Sequence, residues 1–107
     1  MNAWEIWSYQ PPGWPTAHPA VIVSSPERVA NKPDVNVLMC TSQRASRPPH
    51  ANESILDEAD GLNWPTLCKC DLLHLVQKAL PKQRRGVVSD QRRRAIIATI
   101  NRSNGWL

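Results

Sequence analysis

The chain has 107 residues, a formal charge of +4 at pH 7 and 41% apolar residues, including five tryptophans and no phenylalanine. This length predicts one domain, spanning 1–107, with a single modest core. No stretch approaches the roughly 20 apolar residues of a bilayer-spanning helix, and the first residues lack a signal-peptide pattern. We therefore expect a cytoplasmic protein that makes no membrane contact.

Strands alternate with polar or proline-rich loops in the first half of the sequence. Large and polar residues alternate near the start, and two β-branched runs follow, the first of them ending at Pro26. A basic loop runs from Thr41 to Pro49. We predict strands over 4–9, 20–25 and 35–40, with a less certain fourth over 53–56.

A fifth strand is predicted over 66–76, and its side chains should alternate between two faces. Lys69 and Asp71 then share one face, while Cys68 and Cys70 share the other. Together with Cys40, these cysteines show neither a disulfide framework nor zinc spacing. We interpret them as small apolar core residues and expect no metal and no cofactor.

A short last strand beginning at Gly86 leads into a terminal helix. Ser89 is a suitable cap, the helix should run to about Arg102, and Gly105 should end it. Ile96, Ile97 and Ile100 are spaced as one apolar stripe that packs on the sheet. Arginines at 92–94 oppose the helix dipole, and we expect this small cost to be tolerated.

Several short strands followed by one helix predict a small, strongly curved antiparallel sheet or barrel. Eight basic residues lie in the last third of the chain, which favours either a polyanionic or acidic partner, such as RNA, or a solvated basic surface.

The ordered set of motifs resembles the MazF/PemK (Kid) toxins of type II toxin-antitoxin systems. The set comprises Glu5-Ile-Trp7, the run from His18 to Ser24, Thr41-Ser-Gln43, Gly61-Leu62, Lys69-Cys-Asp71, and the run from Gly86 to Asp90. The resemblance implies a mainly β, SH3-like barrel of about five to seven strands with a C-terminal helix. It also implies a homodimer, metal-independent cleavage of single-stranded RNA, and a cognate antitoxin whose extended acidic tail covers the active site.

Carried over by position, the resemblance makes Asp71 the base and Lys69 the acid or phosphate clamp, with Thr41 helping to hold the scissile phosphate. His18 falls on the family's loop arginine, which is the main departure from the pattern. Lysine at 69 replaces a bidentate fork with a point charge. The candidates for RNA binding are Trp14, Ser42, Gln43, Arg44 and Arg47.

Each of these residues also has a structural interpretation. Lys69 and Asp71 could form a surface ion pair, His18 could be an extended loop residue before Pro19, and the Thr41 hydroxyl could satisfy a backbone group. Trp14 could stack on a base or close a dimer interface. His50 and His74 are expected to be structural or exposed, with His74 hydrogen-bonded on the core face.

Two other functions stay open from the sequence. CcdB-like gyrase inhibitors share the fold implied by the resemblance and act through the end of the final helix, and this chain ends in Trp106 and Leu107. The replacement at His18 also fits a catalytically degenerate barrel that binds RNA or an antitoxin peptide without cleaving RNA.

Overall fold

The structure, a computed structural model, describes residues 1–42 and 47–106. Within these ranges, no helix combines the length and apolar content needed to cross a bilayer. The elements are β1 (Glu5–Tyr9), β2 (His18–Ile22), α1 (Pro26–Asn31), β3 (Asp34–Ser42), β4 (Glu53–Leu56), a 3-10 turn (Glu58–Asp60), β5 (Thr66–Gln77), β6 (Gln83–Val87) and α2 (Asp90–Ser103).

All six strands form one antiparallel sheet in the order β4-β5-β3-β2-β1-β6. Both of its faces are covered. The face that packs against α2, here called the α2 face, carries one core that includes Ile6, Val21, Leu38, Cys68 and Ile96. The opposite α1 face carries a second core that includes Tyr9, Ile22, Val29, Val37 and Met39.

The curled sheet brings its two edges together at Gly86 of β6. A Cβ built on Gly86 would lie 2.1 Å from the carbonyl oxygen of Asp60, just beyond β4. The Asp60 carboxylate also accepts a hydrogen bond from the backbone N–H of Ser89 at 3.1 Å. The barrel-like, mainly β fold with a C-terminal helix, expected from the resemblance, is therefore confirmed.

The helix α1 lies where the sequence analysis placed only a polar connection. The Ser25 hydroxyl accepts a hydrogen bond from the Arg28 N–H at 3.2 Å, and Pro26 occupies the first turn. Serine followed by proline is a helix-start signal, but here it follows a β-branched run, and that run predicts the end of a strand. The second strand ends earlier than expected, at Ile22.

The terminal helix begins and ends close to the predicted residues, with Ser89 as its cap, but its buried side differs from the prediction. Ile96 and Thr99 are buried, whereas Ile97 is 46% exposed. Thr99 turns toward the sheet because its hydroxyl accepts a hydrogen bond from Ser54 at 3.2 Å and donates one to the Ala95 carbonyl at 2.8 Å. The predicted three-isoleucine stripe is thus wrong at Ile97.

Two of the three arginines at the start of α2, Arg92 and Arg93, have specific partners. Arg92 forms a 2.9 Å ion pair with Asp57 and also donates to the Ile55 carbonyl. Arg93 donates to the Val88 carbonyl at 2.8 Å. These contacts fasten the first turn of α2 to the chain around β4 and β6.

A bulge interrupts the pairing of β3 with β5. Leu38 is paired with Leu73 and Cys40 with Cys68, so four residues of β5 lie opposite one residue of β3. The insertion reverses the alternation of side chains along β5. His74 consequently lies opposite Val37, on the α1 face, and the prediction that it shares the face of Cys68 is wrong.

Candidate active site

Three predicted site residues lie on the α1 face of the sheet. Cys40 and Cys68 belong to the core of the α2 face, so alternation places Thr41 and Lys69 on the opposite side. Val21 of β2 also belongs to the α2-face core, and His18 lies three residues before it, so alternation places His18 on the α1 face as well. Thr41 is paired with Leu67, which makes Thr41 and Lys69 diagonal neighbours about 7–8 Å apart.

His18 is the first residue of β2 and is paired with Tyr9 of β1, so the interpretation of His18 as a loop residue is wrong. Its ring meets the indole of Trp14 edge-on, with 5.0 Å between ring centroids. A hydrogen bond of 3.3 Å joins Nε2 to the Thr16 hydroxyl. These contacts hold both rings at the edge of the α1-face core, against which Trp14 packs.

Lys69 binds Glu53 of β4 rather than Asp71. The two residues are paired across the strands, and the Lys69 ammonium donates to Glu53 Oε2. The Lys69 side chain remains 24% exposed. An ammonium has three N–H donors, so Lys69 can still donate to an anion that approaches from solvent. The proposed surface ion pair with Asp71 is absent among the described residues.

The Glu53 carboxylate is fully buried and accepts several hydrogen bonds. Arg47 donates through Nη1 at 2.9 Å and Nη2 at 3.1 Å, and the His50 backbone N–H donates at 2.8 Å. The Arg47 hydrogen bonds, assisted by Lys69, hold the pKa of Glu53 well below its usual range although burial opposes this shift. A charged carboxylate therefore anchors two cations.

Asp71 lies in the bulge of β5 and is exposed. Its carboxylate forms no hydrogen bond or ion pair with any residue in 1–42 or 47–106. The backbone beside it is fixed, because the Cys70 N–H donates to the Asn52 carbonyl at 2.9 Å. Asp71 thus presents an unpaired carboxylate from an anchored strand, two residues from Lys69. Because the bulge interrupts the alternation between Cys68 and Leu73, alternation does not assign Asp71 to the face of Lys69.

The predicted RNA-binding residues are only partly brought together. Arg47 joins Lys69 through Glu53. Ser42 ends β3 and is exposed, but alternation turns it away from the face of Thr41. Gln43 and Arg44 lie outside the described residues.

The three cysteines are free and fully buried in the α2-face core, which confirms their interpretation as core residues. A hydrogen bond with Cys40 raises the pKa of Cys68, and one with Cys68 raises the pKa of Cys70. In the described part of the chain, no three His, Cys, Asp or Glu side chains are arranged to hold a metal ion.

Sequence reasoning assigned no site role to Glu53. A lone glutamate in a short, less certain strand carries no motif, and its position opposite Lys69 depends on the register of β4 with β5. The alternation Glu53-Ser-Ile-Leu56 was the only available signal. It places Glu53 on the face opposite Ser54 and Leu56, but it does not indicate which residue of the neighbouring strand Glu53 contacts.

Solved structures of toxins share this fold over nearly the whole chain. The Mycobacterium tuberculosis toxin MazF-mt6 is 20% identical, with a TM-score of 0.80 over 94% of this chain and 96% of that one. An endoribonuclease from Mycobacterial species, in complex with its cognate antitoxin, is 18% identical, with a TM-score of 0.84 over 100% and 97%. A MazE-MazF structure from Deinococcus radiodurans is 14% identical, with a TM-score of 0.74 over 98% of this chain and 95% of that one.

No protein-family model and no curated protein matches the sequence. At these identities the likeness concerns the fold, and it confirms the resemblance to MazF toxins at that level. The side chains described above must therefore carry the argument about activity.

Proposed function

We propose that this protein is the toxin of a toxin-antitoxin system and an endoribonuclease that cleaves single-stranded RNA without a metal ion, so inhibiting growth. The observation that carries the proposal is the exposed, unpaired carboxylate of Asp71, which stands two residues from the accessible ammonium of Lys69. The fold shared with MazF toxins supports it.

Cleavage requires proton transfer and stabilisation of charge on the phosphate. Asp71 takes the proton of the 2′-hydroxyl, and the 2′-oxygen then bonds to phosphorus. The bond from phosphorus to the 5′-oxygen breaks, and the 5′-oxygen receives a proton from Lys69 or His18. The products are a 2′,3′-cyclic phosphate and a 5′-hydroxyl. Thr41, diagonal to Lys69, donates a hydrogen bond to the same phosphate in this proposal.

We propose a cognate antitoxin with an extended acidic segment as the protein partner. One solved neighbour is an endoribonuclease bound to its cognate antitoxin. In this chain, Arg47 and Lys69 present accessible cations on the α1 face. An acidic segment lying across them would compete directly with RNA, which provides a simple means of inhibition.

We also propose that the protein forms a homodimer. Leu73, Ile97 and Trp106 line an open groove of about 400 Å³ on the α2 face, and Trp106 is 61% exposed. Leu72 and Leu75 of β5 are exposed as well. Neighbouring exposed apolar side chains of this kind are typical of a subunit interface.

The test of the nuclease is cleavage of a mixed RNA by purified protein in EDTA, compared with Asp71→Asn. Loss of a general base should lower the rate by about 10² to 10⁴-fold. Asp90→Asn, which removes an exposed carboxylate from the start of α2, is the matched control and should cleave normally. Folded wild-type protein that leaves the RNA intact would contradict the proposal.

The exposure of Trp106 favours one second candidate, a CcdB-like inhibitor of gyrase that acts through the end of α2. The indole is not packed as a helix-end residue, since it is 61% exposed. A topoisomerase cleavage-complex assay distinguishes the two functions. Stabilised cleavage complexes that disappear on deletion of Trp106 and Leu107 would favour inhibition of gyrase.

A further inference from the structure

The Glu53 cluster contains more cationic groups than are needed to neutralise one buried carboxylate. Arg47 alone forms a two-point ion pair with Glu53, and Lys69 adds a second positive charge. The His50 backbone N–H satisfies a further acceptor position. The cluster of Glu53, Arg47 and Lys69 therefore carries a net charge of +1 at its surface.

Both cations are directed outward although their anchor is buried. The Glu53 side chain is 0% exposed, whereas the side chains of Arg47 and Lys69 are 34% and 24% exposed. Because both head groups bind the two oxygens of one carboxylate, they lie side by side. Their remaining N–H groups are available to an anion at the surface.

Arg47 retains the edge of its guanidinium that suits a phosphate. Its Nη1 and Nη2 bind Glu53 end-on, and Nη1 also donates to the Pro48 carbonyl at 3.0 Å. The Nε–H and the second Nη2–H have no acceptor among residues 1–42 and 47–106. These two groups form the side edge of the guanidinium, which can bind two phosphate oxygens at once.

We infer that Glu53 is a positioning residue that holds Arg47 and Lys69 together as a clamp for one RNA phosphate. Arg47 then supplies the planar fork that lysine at position 69 lacks. This inference rests on the proposed nuclease function and names the part of the substrate that the cluster contacts. Thr41, diagonal to Lys69, extends the same phosphate site toward β3.

The first test measures binding of a non-cleavable 2′-deoxy analogue of the RNA substrate as a function of salt. One lost phosphate contact lowers the slope of log K against log salt by about 0.7 for single strands. Arg47→Ala should show this decrease. Arg47→Lys should keep the slope but bind about 10-fold more weakly, because a lysine keeps the charge and loses the fork.

Arg84→Ala is the matched control. Arg84 of β6 also binds a buried glutamate, Glu5 of β1, through Nε at 2.8 Å, and no lysine among residues 1–42 and 47–106 binds Glu5. Its substitution removes the same charge and an ion pair with a buried glutamate. The salt slope of Arg84→Ala should equal that of the wild type.

Glu53→Gln distinguishes a positioning role of Glu53 from an effect of net charge alone on RNA binding. Removing a negative charge beside a polyanion should increase RNA affinity if only net charge matters. If Glu53 positions the clamp, kcat/KM for RNA should instead fall about 10 to 100-fold, since small displacements of positioning groups have effects of this size. Circular dichroism identifies any loss of fold, in which case the Arg47 variants alone decide the question.

The clamp is overturned if Arg47→Ala binds and cleaves RNA like the wild type, or if Arg84→Ala loses the same salt slope. In either case RNA cleavage that depends on Asp71 would leave the proposed nuclease function intact. Wild-type protein that neither binds nor cleaves RNA would overturn the nuclease and the clamp together.

Discussion

Gly86→Ala tests the closure of the sheet, where β6 meets the chain beyond β4. The new Cβ would lie 2.1 Å from the Asp60 carbonyl oxygen and 3.2 Å from the Gly61 Cα. Both neighbours are backbone atoms, so no flexible side chain can move aside. The contact with oxygen must lengthen from 2.1 Å to at least 3.0 Å, the shortest distance that Cβ atoms tolerate.

Such a shift separates β6 from the turn that carries Asp60, which also binds the Ser89 N–H at the start of α2. Forced expansion of a packed contact costs about 1–3 kcal/mol, and the immobile backbone on both sides places this case near 3 kcal/mol. For a domain of this size, that loss lowers the melting temperature by roughly 12–24 °C.

Urea unfolding followed by tryptophan fluorescence measures the change, with Gly13→Ala as the control. Gly13 has a φ of +84°, and a Cβ there meets nothing within 4 Å. That variant should therefore lose only the left-handed backbone preference, about 1 kcal/mol. If Gly86→Ala loses no more stability than Gly13→Ala, the two edges do not meet as tightly as described.

The remaining predictions concern acid stability and the departure at position 18. Burial alone would raise the pKa of Glu5, but hydrogen bonds from Asn2, Trp7 and Arg84 lower it from 4.5 to about 2. The ionised Glu5 carboxylate stabilises the fold fully above about pH 4.5, and this contribution is lost as the pH falls toward 2. Glu5→Gln should therefore reduce the dependence of the free energy of unfolding in urea on pH between these values. An unchanged pH dependence would contradict the lowered pKa of Glu5. His18→Arg should raise kcat/KM for RNA several-fold at fixed salt, because a guanidinium can bind two phosphate oxygens; activity that appears only in the variant would favour a degenerate barrel.

Local signals were sufficient to predict most of the strands and the terminal helix. The fourth strand over 53–56 and the Ser89 cap were placed correctly because alternation and capping depend on residues close in sequence. At α1, two local signals conflict. Its Ser25-Pro26 start signal adjoins a β-branched run, and the strand signal was given precedence.

Contacts between distant segments were harder to predict. The sequence predicts Lys69 and Asp71 on one face, with a mutual ion pair as the structural alternative to a catalytic site, whereas Lys69 binds Glu53. That partner is 16 residues away and is set by the register of β4 with β5. Register depends on the whole sheet, so the composition of either strand alone could not identify the pair.

The bulge in β5 connects the failure of periodicity with the candidate chemistry. A regular strand would keep pairing β3 beyond Cys68 and hold Lys69 to Leu72 in the hydrogen-bonded ladder. Of the inserted residues, Lys69 pairs with Glu53 of β4 and the Cys70 N–H donates to the Asn52 carbonyl, whereas Asp71 has no β4 partner and is exposed. The same insertion reverses the alternation and makes the prediction for His74 wrong. Bulges commonly redirect side chains beside active sites, and here the position where a simple period-2 pattern fails carries both an unpaired carboxylate and an anchored cation.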